Sequence, residues 1–390
     1  MDITAIICEY NPFHKGHKYQ MDKVKELYPD THILSVMSPS FVQRGQPAIF
    51  DKFVRGQCAV QCGADLAVSM PQVFALLSAE GFAEGGVITA KMLGATSLAF
   101  GVETEDISSM CEIAEILISQ GFEEKIKKEL SNAPHLSYPT VRQNVLERFA
   151  GKEKAEIIST PNNILAVEYI KAVMRHCPDM ELRPIKRVGN GYNDTSSEGE
   201  FLSATALRSI IQKNESWSNS VPGEAFEVLK DASILDFDRF ENMLFSVISV
   251  AEYSEILKHT GNKELADTIY SCAKESGRYS DFRQGLSRKK FAETKISRAL
   301  CNILLKIPND TFMHKIPEYV TLLASGNSGR EIIKKSSLPV ISKFGEWKKI
   351  ESIQLDIEHL ADRLWARCLR VPFGEEYFIN KKPFISEDIK

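Results

Sequence analysis

The chain reads as an α/β protein built on a parallel sheet, interrupted by a helical insertion and followed by a mostly α-helical C-terminal region. Three observations carry that expectation. Short apolar runs alternate with amphipathic stretches through the first two hundred residues, the pattern of a parallel sheet covered by helices on both faces. The composition is that of ordinary globular protein, with 390 residues, 43% hydrophobic and 26% charged, which leaves room for more than one domain. After residues 213–223, which read as a linker, the apolar spacing turns helical, as at 245–248 and 299–305.

The elements follow in order. Residues 3–8 form a first buried strand, and Met21, Val24 and Tyr28 have the spacing of a helix behind it. Residues 31–37 make a second strand, and 38–47 a loop of Ser, Pro and Gly. A helix carrying Phe50, Phe53, Val54 and Val60 comes next. A third strand at 65–70 ends at Pro71, a helix runs from about 74 to 93, and 97–102 is a fourth strand. Residues 105–150 look like inserted helices. Pro161, Asn162 and Asn163 then cap a helix at 164–174, a fifth strand covers 182–188, and 189–194 is a loop. Ser203 to Arg208 opens another helix. The expected division is therefore 1–214 for the sheet domain and 215–390 for the helical one.

Charge and cysteine usage narrow the class. A net charge of −4 gives no global attraction to nucleic acid, so any RNA contact must come from local patches. Met1 and Asp2 lead straight into the first strand, which leaves no room for a signal peptide, and no apolar run approaches the ~18 residues of a membrane span. Eight scattered cysteines without framework spacing suit reduced thiols. The expectation is a soluble, cytoplasmic protein.

The most informative residues are His14-Lys15-Gly16-His17, at the turn from the first strand to the first helix. Free N–H groups and the helix dipole make such a turn an anion site. Gly16 would admit a phosphate close to the backbone. The two imidazoles, three residues apart, could reach one phosphoryl group and stabilise charge as pyrophosphate leaves. A polar turn with satisfied histidines is the plainer explanation of the same residues. A zinc site is disfavoured: there is no His-Glu-x-x-His and no Cys-x-x-Cys, and no metal ligand set is expected. Ser203, Thr205 and Arg208 at a later helix start would hold the departing phosphates, although an ordinary capped surface helix looks the same.

A strand followed by His-x-Gly-His, with a later Ser/Thr-rich helix start carrying Arg, resembles the nucleotidyltransferases of the HIGH superfamily. The longer set is similar to the bacterial tRNA(Met) cytidine acetate ligases: residues 9–17, 41–49, 161–165, and 187–189 through Arg208. The resemblance spans essentially the whole chain and is looser after Arg208, where residues 322–330 depart from the family's wording. It implies a Rossmann-like nucleotidyltransferase sheet. It also implies synthesis of N4-acetylcytidine at the wobble position of elongator tRNA(Met), from acetate, ATP and the tRNA. The ATP-binding segment it implies comprises Ile7, Cys8, Glu9, Tyr10, Asn11, Pro12, Phe13, His14, Lys15, Gly16, His17, Lys18, Tyr19 and Gln20, with further contacts at Gly101, Asn162 and Arg187.

The chemistry of that reaction asks for activation, because acetate is inert toward a delocalised cytosine amine. Acetate would attack the α-phosphorus with His14 and His17 as the catalytic pair, and Mg²⁺ is expected to screen the pyrophosphate. Arg44, Lys52 and Arg55, and farther along Arg283, Arg288, Lys289 and Lys290 among Tyr279, Phe282 and Phe291, are candidate tRNA contacts. A solvated cationic face explains those residues equally well. Two other readings stay open: an adenylyltransferase acting on a small metabolite, and a non-catalytic nucleotide-dependent RNA-binding protein.

Overall fold

A computed structural model describes residues 1–390 except 105, 134, 135, 137, 189–201, 289, 290, 310, 375 and 387–390. The 189–194 loop therefore lies outside the described residues. The strands are β1 (Ile3–Cys8), β2 (His32–Met37), β3 (Phe41–Val42), β4 (Gln46–Pro47), β5 (Leu66–Ser69), β6 (Ser97–Val102), β7 (Glu181–Lys186), β8 (Val320–Ser325), β9 (Val340–Ile341) and β10 (Phe384–Ile385). The main sheet has the order β10-β8-β5-β2-β1-β6-β7, with β9 on β8, and β3 pairs with β4 as a separate hairpin.

From β5 to β7 the strands are parallel. The chain builds outward from β1 through β2 to β5, then crosses back to place β6 and β7 on the other side of β1. That reversal opens a crevice beyond the carboxyl ends of β1 and β6, where open α/β sheets bind ligands.

Alternation along β1 feeds two cores. Ile3, Ala5 and Ile7 join the cluster that includes Phe82, Val87 and Ala166, from the helices Ala79–Met92 and Pro161–His176. Ile6 and Cys8 join Met21, Val24, Cys58 and Ala59 from the helices Lys15–Leu27 and Lys52–Gln61. Successive side chains on a strand point to opposite faces, so a strand buried on both faces must be apolar throughout, and β1 is nearly so.

The inserted helices are Ile107–Ile118, Gln120–Asn132, Tyr138–Ala150 and Lys152–Ile157, with the first packed on helix Pro161–His176. Three expectations are refined. The helix expected over about 74–93 is two, Gln72–Ala75 and Ala79–Met92, because Ser78 caps the second by accepting from the Gly81 N–H. The 38–47 loop contains the β3–β4 hairpin. Residues 215–390 are mostly helical, yet β8, β9 and β10 enter the same sheet as β1, with β8 antiparallel to β5. All six residues of β8 are buried, so the run lacks the alternation that would distinguish a strand from a buried helical turn. The eight cysteines form no disulfide among the described residues. Among the described residues no helix is long and apolar enough to cross a membrane.

Candidate active site

The crevice beyond β1 and β6 is a pocket assembled from five helix or strand ends. β1 and the turn after it contribute Ile7, Cys8, Glu9, Tyr10, Asn11, His14, Gly16, His17 and Gln20. β6 contributes Gly101, helix Pro161–His176 contributes Asn162, and the chain just past β7 contributes Arg187. Ser203, Thr205 and Arg208 come from the start of helix Ala204–Gln212. Both phosphate-binding turns expected from the sequence thus open on one cavity. They are physically joined: Arg208 Nη1 donates to the Asn11 carbonyl at 2.8 Å, and Nη2 donates to Thr205 Oγ1 at 3.1 Å.

The histidine turn has an unusual internal arrangement. His14 is the N-cap of helix Lys15–Leu27, and its Nδ1 accepts the Gly16 N–H at 3.0 Å. His17 Nδ1 accepts the His14 N–H at 3.2 Å, so each imidazole satisfies one orphan donor of the helix start. The rings stack with centroids 3.7 Å apart. Because Nδ1 of each ring accepts, the proton of each neutral ring sits on Nε2. Burial, followed by the charges of Arg187 and Arg208, pushes His14 down to about 3. Burial, then His14 and Arg187, holds His17 well below the usual histidine range. At neutral pH both rings are neutral Nε2–H donors, which can hold an oxyanion without carrying a charge of their own.

Tyr10 has φ +46°, in the left-handed region, and its ring is buried edge-on against Phe13 and His17, each at 4.8 Å. That packing compensates the strained turn and sets the angle of the histidine loop. Asn11 fixes the same loop from the other side, with Oδ1 accepting from Ile49 N at 2.8 Å. The glycines have tasks the sequence did not indicate. A Cβ on Gly16 would lie 2.9 Å from His14 Cε1, and one on Gly101 would lie 3.2 Å from Arg187 Cγ. Gly16 makes room for the capping imidazole, and Gly101 lets the arginine side chain lie across β6.

With this geometry in hand, comparison with known proteins is informative. The family model described as HIGH Nucleotidyl Transferase matches residues 1–374. A protein of Clostridium kluyveri named tRNA(Met) cytidine acetate ligase is 35% identical over 369 residues, covering 88% of this chain and 90% of that protein. One of the same name from Clostridium novyi is 33% identical over 380 residues, covering 92% and 94%. The chain belongs to the tRNA(Met) cytidine acetate ligase family of HIGH nucleotidyl transferases. Crystal structures of Thermotoga maritima TmcAL agree in fold. The apo form superposes with a TM-score of 0.90 at 28% identity, covering 99% of both chains. The form bound with alpha-thio ATP superposes with a TM-score of 0.89 at 27% identity, covering 99% of this chain and all of that one.

Within this family member, several pocket residues escaped sequence reasoning. Phe82, Phe100, Leu165, Tyr169 and Leu202 form an apolar wall suited to a base; apolar side chains on core elements carry no signal that they also face a cavity. Gln43 lines the pocket and donates its backbone N–H to Glu9 Oε1 at 3.0 Å. Asn162 donates to Glu103 Oε1 at 2.6 Å, and the buried Asn163 accepts from Glu103 N at 2.9 Å, which ties the end of β6 to the helix. Conversely, Pro12, Phe13, Lys15 and Lys18 do not line the pocket; Phe13 is fully buried beneath the turn, and Tyr19 borders a smaller adjoining recess.

Two of the basic residues expected to face tRNA do not. Arg55 is fully buried and donates to the carbonyls of Glu9, Ser38, Pro39 and Phe50, clamping the loops beneath the pocket. Lys52 is buried between Glu358 at 2.6 Å and Asp362 at 2.7 Å. Their charges are consumed inside the fold, so neither is available to a phosphate. Arg44 lines the pocket described above, Arg283 is half-buried and ion-paired with Glu293, and Arg288 is exposed. Lys289 and Lys290 lie outside the described residues.

Proposed function

We propose that the chain joins acetate to the wobble cytidine of elongator tRNA(Met) at the expense of ATP, giving N4-acetylcytidine, AMP and pyrophosphate. The observation that carries this reading is the single cavity shared by the paired histidines and the Arg208 turn, linked by the bond from Arg208 to the Asn11 carbonyl. One nucleotide can be gripped at both ends of its phosphate chain there. Family membership and the ATP-analogue complex of the Thermotoga maritima protein support the same reading.

An acetate oxygen attacks the α-phosphorus, the bond to the β-phosphate oxygen breaks, and pyrophosphate leaves. His14 and His17 donate from Nε2 to the α-phosphoryl oxygens as charge builds there. Arg187 and Arg208 supply the fixed positive charge that the triphosphate requires. The cytidine amine then attacks the acetyl carbonyl carbon, AMP departs, and the amide forms. Acetyl-adenylate is the only activated intermediate needed. Cys8 is not a nucleophile, since it is buried and burial pushes its thiol far up.

Among the described residues Glu9 is the one carboxylate lining the pocket, and no three potential ligands gather as a metal site. Magnesium would arrive on the phosphates, as that ion commonly does, and the charge-stabilising groups named above all belong to the chain. ATP and tRNA as substrates support a cytoplasmic location. Arg44, Arg283 and Arg288 are the described residues we assign to RNA contact.

The test is incubation with labelled acetate, ATP and bulk tRNA, followed by digestion to nucleosides. Label in acetylcytidine is expected. AMP transfer to a metabolite, or RNA binding without product, would replace the ligase reading with the adenylyltransferase or the non-catalytic one. His17→Ala should lower turnover about 10²- to 10³-fold, and undiminished turnover would remove the role given to the pair.

A further inference from the structure

We propose that a second cavity, on the far side of the β3–β4 hairpin from the nucleotide pocket, holds an unpaired base of the RNA substrate next to the acetylated cytidine. The proposal rests on the ligase reading and deepens it. Its starting point is a partition made by four consecutive residues. Gln43 and Arg44 line the nucleotide pocket, whereas Gly45 and Gln46 line the second cavity. An RNA strand whose cytidine enters the first pocket can carry its next nucleotide over this hairpin.

The opposite wall is helical and has the composition of a base-binding site. Phe237, Phe240 and Glu241 come from helix Phe237–Val250, and Tyr279 and Arg283 come from helix Tyr279–Ser287. The cavity measures about 400 Å³, inside the roughly 300–1,000 Å³ range of small-molecule sites. The partly buried rings of Phe237 and Tyr279 line it beside a guanidinium and carboxyl groups, the combination that recognises unpaired bases. Burial, with the neighbouring Arg283 opposing, pushes the Tyr279 phenol up to about 12, so it remains a neutral stacking surface and donor. Glu241 also borders the cavity, and Glu293 there pairs with Arg283, so no excess positive charge draws a phosphate in and the base is favoured over the backbone. Exposed arginines sit instead at the two ends of helix Tyr279–Ser287, Arg278 as its N-cap and Arg288 as its C-cap, where a backbone could track.

The two walls are held as one unit. Gly45 has φ +76°, and a Cβ there would lie 2.3 Å from Arg298 N and 2.4 Å from the Ser297 carbonyl carbon. Phe41 of β3 also packs on Phe240, with ring centroids 6.0 Å apart. Hairpin and helices therefore keep their separation, and the distance between the two cavities is fixed in advance of binding.

The experiment measures two reactions of the full chain: acetate-dependent ATP–pyrophosphate exchange, which the proposed mechanism runs without RNA, and acetyl transfer to an anticodon stem-loop RNA. Tyr279→Leu and the near-isosteric Glu241→Gln are compared with wild type. Both should keep the exchange rate, and Tyr279→Leu should raise KM for the RNA about tenfold or more. Stem-loops with an abasic site at each unpaired position in turn then locate the base. One abasic site should raise KM for wild type and add nothing further in Tyr279→Leu. The proposal is overturned if both variants have wild-type KM for RNA, if every abasic site adds the same factor in wild type and variant, or if exchange falls in step with transfer. A wild-type chain that exchanges and acetylates nothing removes the ligase reading first, and this proposal with it.

Discussion

Beyond the carboxyl ends of β1, β6 and β7, Arg187, Arg208 and the two histidines face an open pocket. Beyond β2, β5 and β8, on the same edge of the same sheet, Lys52, Glu358 and Asp362 are buried and paired with one another, with Ser40 donating to Asp362 and Tyr319 to Glu358. One flank keeps its charge for a ligand, and the other spends it holding the C-terminal helix Ile353–Arg367 against helix Lys52–Gln61. Residues of the same type, eleven positions apart from Arg44 to Arg55, fall on the two sides of this division. Removing a charge should therefore cost ligand affinity on the open flank and stability on the closed one.

The largest effect is expected at Lys52. Lys52→Met leaves two buried carboxylates without a counter-charge, and breaking a buried pair this way costs about 3–5 kcal/mol. Burial already pushes Asp362 up to about 6, against the pull of Lys52. Losing the ammonium raises it further, so the deficit should be greater at pH 8 than at pH 6. Urea unfolding at both pH values measures it; a loss below about 1 kcal/mol would mean the cluster is solvated and the contrast between the flanks is false. The mirror experiment is Arg208→Ala. The charge proposed to hold the phosphates is lost, for about 1.5–3 kcal/mol in ATP binding, or roughly ten- to hundredfold in Kd. Titration calorimetry reads the affinity, and thermal melting should show little change. A large fall in melting temperature with ATP affinity intact would place Arg208 on the structural side.

The same division explains what the sequence could and could not disclose. β1 and β6 were readable to the residue because both lie in the parallel part of the sheet, where apolar runs are short and bounded by turn residues. The two helix starts were readable because caps are local: His14 and His17 act on each other across three residues, and Ser203 acts on Ala206. Lys52 was not, since its partners lie 306 and 310 positions away. Arg55 was not, because its acceptors are backbone carbonyls, which every residue has. β8 was missed for a related reason. Its pairing with β5 spans more than 250 residues, and nothing in a uniformly buried run announces a strand.

A pH experiment sharpens the description of the open flank. His14 is held at about 3 in the folded protein, against 6.5 for an ordinary histidine. Between those values the unfolded chain takes up a proton that the folded chain refuses. The stability contribution is complete above pH 6.5 and is lost as pH falls toward 3. From pH 7.5 to pH 5.0 the loss from this one group is about 2 kcal/mol. His14→Asn retains a side-chain acceptor for the Gly16 N–H and does not titrate. Its unfolding free energy should fall by about 2 kcal/mol less than wild type over that interval. Parallel curves for the two proteins would show that the imidazole is solvated, and the neutral-donor assignment would fail.

The finest comparison uses a glycine on each flank. On the closed side, a Cβ at Gly56 would lie 2.5 Å from Cβ of Leu323, a fully buried residue of β8. Helix and strand must separate to admit it, and overpacking of that kind costs about 1–3 kcal/mol, partly offset by the helix preference of alanine. ATP affinity should not change. On the open side, a Cβ at Gly101 would meet Arg187 Cγ at 3.2 Å and Cδ at 3.4 Å. An arginine stem can slide by the few tenths of an ångström required, so Gly101→Ala should leave stability level or slightly raised, since alanine loses less chain entropy than glycine. The displacement falls on the guanidinium, and ATP Kd should rise about two- to fivefold, within the roughly 1 kcal/mol expected of a misaligned charged contact. Both numbers come from one pair of denaturation curves and one pair of titrations. If Gly101→Ala destabilises as much as Gly56→Ala while ATP binding is untouched, then Arg187 is braced by β6 for the sake of the fold, and the open flank is less committed to its ligand than its geometry implies.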